Sequence, residues 1–178
     1  MQVQSLSNAV TGLFPLIYNK NVANMNIIFD LSGVFFEAQT SKPCSIQNRF
    51  ACALKPINVS ASMRILHDCL NNGHRLFVVS NLNLESFDFL SADPQAARLF
   101  NYFEDIILSD QVGIQKSDPR IFNYLIEKHG LNPRHSVFVD DQIVNLKAAE
   151  QAGITKGIHC TDFNFGSLRQ QLEIHGAL

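Results

Sequence analysis

The chain has 178 residues, 46% of them apolar and 17% charged, an ordinary globular composition with room for one sizeable core. Fourteen basic against sixteen acidic residues leave a formal charge of −2 with no basic run, so no nucleic-acid partner is expected and any phosphate binding must come from a local site. No apolar run approaches the ~20 residues of a membrane span, so no membrane partner is expected. The four cysteines (Cys44, Cys52, Cys69 and Cys160) have no zinc-ligand spacing and read as reduced thiols of a cytoplasmic protein.

Residues 1–24 form a mildly apolar extension, expected to contain a helix broken near Pro15, ahead of a single domain at 25–178. Met25, directly before the first strand, is a conceivable alternative start. Ile27–Asp30 is a short apolar run that ends at an acid and a glycine turn, the pattern of a fully buried strand. Residues 59–72 carry Val59, Met63, Leu66, Cys69 and Leu70 at helical spacing, with Gly73 as the stop. Leu76–Val79 is a second buried strand ending in Ser80-Asn81. Helical pieces follow at Glu85–Leu90 and Pro94–Phe103, then a third strand at Ile106–Leu108. Asp118-Pro119 supplies an N-cap acid and a first-position proline for a helix that Gly130 closes. Val137–Val139 is a fourth strand, ending in Asp140-Asp141; helix 143–151, a short strand near 156–159 and a tail helix complete the chain.

This alternation predicts a Rossmann-like three-layer α/β/α sandwich around a mostly parallel sheet of about five strands. Right-handed crossovers bring the C-terminal ends of the strands to one edge, where ligands of such sheets bind. Asp30, Ser80 and Asp140 each follow an apolar strand directly, so three polar groups are expected in one crevice. Each alone has a plainer reading, as a turn residue or a helix cap. The six histidines have no metal-ligand spacing and read as structural or surface residues; His129 and His135 flank a loop without an arguable role.

Four stretches taken together, FDLSGV, VVSN, GIQKSDPRIF and VFVDDQIVNLKAAEQAG, resemble the four motifs of the haloacid dehalogenase superfamily over roughly residues 26–160. The likeness is strongest to the branch whose first motif reads DLGG or DLGN, which includes sugar-phosphate phosphatases. The resemblance implies a Mg²⁺-dependent phosphatase acting on phosphomonoesters. Asp30 would be nucleophile and metal ligand, the backbone carbonyl of Ser32 would bind the metal, and Asp140 with Asp141 would complete the protein's share of the shell. Ser80 and the Asn81 backbone would hold phosphate oxygens. Lys116 would neutralise charge on Asp30 and on the phosphoryl group, and Asn145 would orient the metal-binding acids.

The chain departs from the pattern in three places. Ser32 stands where most phosphatases of the superfamily carry a general-acid aspartate, so slow turnover on alkyl phosphates is expected. The insert available for a cap, about 35–58, is short, with room for one short helix and a loop. An open crevice of this kind suits a phosphorylated small molecule, a bulkier phosphorylated substrate, or a homo-oligomer whose second copy covers the site. Ser117 replaces a proline usual in the branch. The alternatives are a catalytically weak or inactive binding protein with this fold and, more remotely, a 2-haloacid dehalogenase, whose metal-free chemistry suits the acidic pair at 140–141 poorly.

Overall fold

The computed structural model describes residues 24–38, 54–161 and 164–178. The N-terminal extension, apart from Asn24, lies outside the described residues, as do Cys44, Cys52 and residues 39–53 of the insert. Seven strands are described: β1 (Asn26–Phe29), β2 (Phe36–Ala38), β3 (Leu54–Pro56), β4 (Arg75–Ser80), β5 (Asp105–Leu108), β6 (Ser136–Asp140) and β7 (Lys156–His159). Seven helices accompany them: α1 (Val59–Asn71), α2 (Leu84–Ser91), α3 (Pro94–Phe100), α4 (Ser109–Val112), α5 (Arg120–His129), α6 (Ile143–Gln151) and α7 (Phe165–Ile174).

Five strands make one parallel sheet in the order β5-β4-β1-β6-β7. Period-two alternation sends their side chains into two separate cores. Ile27, Phe29, Val78, Val137 and Val139 meet α1, α2, α3 and α7 on one face. Ile28, Phe77, Val79, Ile107 and Phe138 meet α5 and α6 on the other. Burial on both faces explains why these strands read as continuous apolar runs and not as alternating ones. The three-layer sandwich expected from the sequence is therefore the fold.

The strand order also fixes where a ligand can enter. From β1 the chain crosses to β4, on one side; from β6 it crosses to β7, on the other. The connections leave neighbouring strands β1 and β6 in opposite directions, which opens a crevice at their C-terminal ends. Asp30 follows β1 and Asp140 ends β6.

Several local expectations are corrected. Within the insert, Phe36–Ala38 and Leu54–Pro56 pair antiparallel as a small second sheet that is not expected from the sequence; the short helix and loop expected there fall mainly on residues 39–53, outside the described residues. Just ahead of that pair the chain makes a tight turn, in which the Leu31 carbonyl accepts from the Phe35 and Phe36 N–H groups at 2.9 and 3.0 Å. α5 begins at Arg120, later than Asp118-Pro119 suggested, although the Asp118 carboxylate still accepts from the Arg120 N–H at 3.0 Å. α3 stops at Phe100, short of Phe103, where the chain turns and Tyr102 and Phe103 pack against the first core. The one-turn helix α4 has no periodic signal and was not expected. Cys69 and Cys160 are buried. Among the described residues no helix is long and apolar enough to cross a membrane.

Candidate active site

β1 delivers Asp30 into the crevice because the strand ends there: the Asp30 N–H still donates to the Val139 carbonyl at 2.9 Å, but the chain then leaves the sheet. Asp30 is only 2% exposed, and burial pushes its carboxyl up to about 6, against the opposing pull of Lys116. Oδ1 accepts from the Leu31 N–H at 2.7 Å and from the Ser80 hydroxyl at 2.9 Å. Oδ2 faces the Lys116 ammonium at 2.5 Å.

Lys116 lies in the loop between α4 and α5, yet its side chain is 1% exposed. The same Nζ donates to Asp140 Oδ2 at 2.8 Å, so one ammonium bridges the acids that end β1 and β6. Two anions on one cation leave the buried cluster net negative, which favours a further cation. The loop is held by an unexpected partner: the Asn81 side-chain carbonyl accepts from the Lys116 N–H at 2.9 Å. From the sequence, only the Asn81 backbone is expected to take part.

Asp140 is fully buried, and its Oδ1 accepts from the Gln142 N–H at 2.8 Å and from Asn145 Nδ2 at 2.9 Å. Asn145 thus turns inward from the first turn of α6 and is itself buried. Asp141 differs from its neighbour: Oδ1 is buried without a hydrogen-bond partner. Burial, and then the charge of Asp140, hold the Asp141 carboxyl above its ordinary range. One carboxylate oxygen each from Asp30, Asp140 and Asp141 lie within 4.8 Å of one another. Three hard oxygen donors this close, with an unpartnered oxygen on one of the same carboxylates, fit a small divalent cation such as Mg²⁺.

Gly33 explains the glycine in FDLSGV. Its φ is +85°, and a Cβ there would lie 2.4 Å from the Asp141 carboxyl carbon. Only glycine permits both the left-handed backbone and this approach. Ser32, between the nucleophile candidate and this glycine, is half-buried and forms a bridge with Phe36. His159 was passed over in the sequence. Its Nε2 lies 2.9 Å from the Asp141 carbonyl oxygen. The signal that could have found it is the one that found Asp30, a place at the C-terminal end of a parallel strand. His129, by contrast, pairs with Asp105 at 2.6 Å, at the opposite end of the sheet from the acids.

A doubly wound parallel sheet with acids and a buried lysine at its switch point has the build of an α/β enzyme domain. The haloacid dehalogenase-like hydrolase family model matches residues 59–153, more than half of the chain, and the chain belongs to that family. The match takes in Ser80, Lys116, Asp140, Asp141 and Asn145. The chain is 39% identical over 91 residues to mouse bifunctional epoxide hydrolase 2, covering 50% of this chain and 16% of that protein. It is 28% identical over 104 residues to a glyceraldehyde 3-phosphate phosphatase of Methanothermobacter thermautotrophicus, covering 57% and 43% respectively. The chain thus spans less than half the length of either relative. Its fold matches a Bacteroides thetaiotaomicron enzyme of the family, solved with magnesium and inorganic phosphate, at a TM-score of 0.62 and 18% identity over 77% of this chain and 94% of that one.

Proposed function

We propose that the protein is a Mg²⁺-dependent phosphatase that cleaves phosphomonoesters through an aspartyl-phosphate on Asp30. The observation that carries the reading is the buried Asp30–Lys116–Asp140 cluster with the unbonded Asp141 oxygen beside it. The phosphatase relative and the magnesium-and-phosphate structure support the same direction.

Asp30, Asp140 and Asp141 would hold the cation, with the Ser32 carbonyl as a further ligand. When bound, the cation screens the negative ester from the anionic nucleophile and polarises the phosphoryl oxygens. Asp30 Oδ2 attacks phosphorus, a P–O bond forms, and the ester P–O bond breaks with its electron pair on the leaving oxygen. Lys116, held between two acids, offsets charge on the transferring group without moving. Ser80 can turn its hydroxyl from Asp30 to a phosphoryl oxygen. Water then attacks the phosphoenzyme, releasing inorganic phosphate and the free Asp30 carboxylate. Asn145 holds Asp140 throughout. Ser32 has no pKa suited to protonating the leaving oxygen, so that oxygen departs with little acid assistance.

An acidic trio beside the nucleophile would repel a haloacid carboxylate, which disfavours dehalogenation. Hydrolysis of p-nitrophenyl phosphate should require added Mg²⁺, stop with EDTA, and be lost in Asp30→Asn. Turnover that survives either treatment refutes the mechanism.

A further inference from the structure

The peptide unit joining Asp141 to Gln142 is pinned from both sides. Its N–H, that of Gln142, donates to Asp140 Oδ1 at 2.8 Å. Its carbonyl, that of Asp141, faces His159 Nε2 at 2.9 Å. A carbonyl can only accept, so Nε2 carries the proton and the ring donates. The contact is long-range in sequence and depends on register: β6 and β7 pair in parallel, with Asp140 directly beside His159. The Cys160 N–H extends the pairing by donating to the Asp140 carbonyl at 3.0 Å.

The consequence falls on the Asp141 carboxylate. It lies over Gly33 so closely that a methyl group there would overlap it, and its Oδ1 is buried without a partner. Nothing among the described side chains hydrogen-bonds that oxygen to set its direction. The backbone therefore has to, and the backbone is clamped by Asp140 on one side and His159 on the other. His159 itself is exposed, so its hydrogen bond adds little to folding stability. Its worth is in orientation.

We infer that His159 is a positioning residue for the metal carboxylate Asp141, its ring N–H fixing the Asp141–Gln142 peptide so that the unbonded Asp141 oxygen points at the cation. The inference rests on the metal reading proposed above. Groups that orient metal ligands typically contribute 10–100-fold in affinity.

The test is calorimetric titration of the EDTA-stripped full chain with magnesium chloride alone, with thermal melts alongside. His159→Ala should weaken Mg²⁺ binding about 10–100-fold, while the melting temperature without metal barely changes. His159→Gln, whose amide N–H reaches about as far as Nε2, should bind close to wild type. His159→Asn, too short to reach, should bind like the alanine variant. Saturating Mg²⁺ should restore turnover in both weak variants. Wild-type affinity in His159→Ala overturns the inference, as does a glutamine variant no better than alanine. If alanine fails to fold, the glutamine–asparagine comparison decides alone. A wild type that binds no Mg²⁺ overturns this inference and the phosphatase mechanism together. Weakened Mg²⁺ binding in the variants of a protein that hydrolyses no phosphate ester would uphold the role of His159 and remove the proposed function.

Discussion

Replacing Asp30 with asparagine should make the metal-free protein more stable, not less. The Asp30 carboxyl is pushed from 3.8 to about 6, by burial first, with Lys116 pulling the other way. The folded state therefore holds the Asp30 proton more tightly than the unfolded chain does. Ionised Asp30 costs nothing below about pH 3.8, a growing amount between 3.8 and 6, and the full amount above 6. At about 1.4 kcal/mol per pKa unit, the full cost is about 3 kcal/mol at pH 7.5. The Asp30→Asn substitution would remove it at every pH. The amide, however, turns a donor toward the Lys116 ammonium where Oδ2 now accepts, which gives back about 1–2 kcal/mol. The net expectation at pH 7.5 in EDTA is a gain of about 1–2 kcal/mol, or a melting temperature higher by about 2–8 °C for a domain of this size. At pH 5 the wild-type cost is about half as large, and the advantage should fall toward zero. Saturating Mg²⁺ should reverse the order, because the wild type alone keeps the Asp30 ligand; at a hundredfold excess over its Kd a bound ion adds about 2.7 kcal/mol. Thermal melts at the two pH values, with EDTA or Mg²⁺, check all of this. A variant that melts below wild type in EDTA at pH 7.5 would mean that the attraction between Lys116 and Asp30 outweighs burial, and the electrostatic account of the site would be wrong.

Three further outcomes are expected. Ser32→Asp should raise kcat/KM on alkyl phosphates by roughly 10–1000-fold and change aryl phosphates less, since a phenolate leaves without an acid; equal wild-type rates on both substrate types, unmoved by the substitution, would place the proton donor elsewhere. Lys116→Met leaves Asp30 and Asp140 buried without their shared cation, so unfolding in urea at pH 7.5 should show a loss of about 3–5 kcal/mol, shrinking as pH falls toward 6, because without the Lys116 charge Asp30 takes up its proton above that value. Gly33→Ala must place a methyl group against the Asp141 carboxyl at a φ of +85°, so it should cost about 1–2 kcal/mol in backbone strain and abolish the Mg²⁺-induced rise in melting temperature; an unchanged Mg²⁺ response would show that Asp141 does not bind the ion.

Much of this protein follows from local chemistry. Strands buried on both faces must be apolar throughout, so Ile27–Phe29, Leu76–Val79 and Val137–Val139 stand out in the chain, and the polar residues that end them mark the sheet edge where Asp30, Ser80 and Asp140 meet. Glycines at helix ends and the acid–proline start near 118 set the helices to within a few residues. What the sequence left open depends on distance and register. The β2–β3 pair joins segments of three residues each, Phe-Glu-Ala and Leu-Lys-Pro, too short to carry a periodic signal. The depth of Lys116 cannot be read from a polar loop; it exists because Asp30 and Asp140 end adjacent strands and together stabilise a buried ammonium. The Asn81 side chain, the closeness of Gly33 to Asp141, and the bond from His159 to the Asp141 carbonyl each join residues far apart in the chain. Such contacts are set by which strands pair and in what register, and that choice is made by the whole core, because no short segment contains both partners.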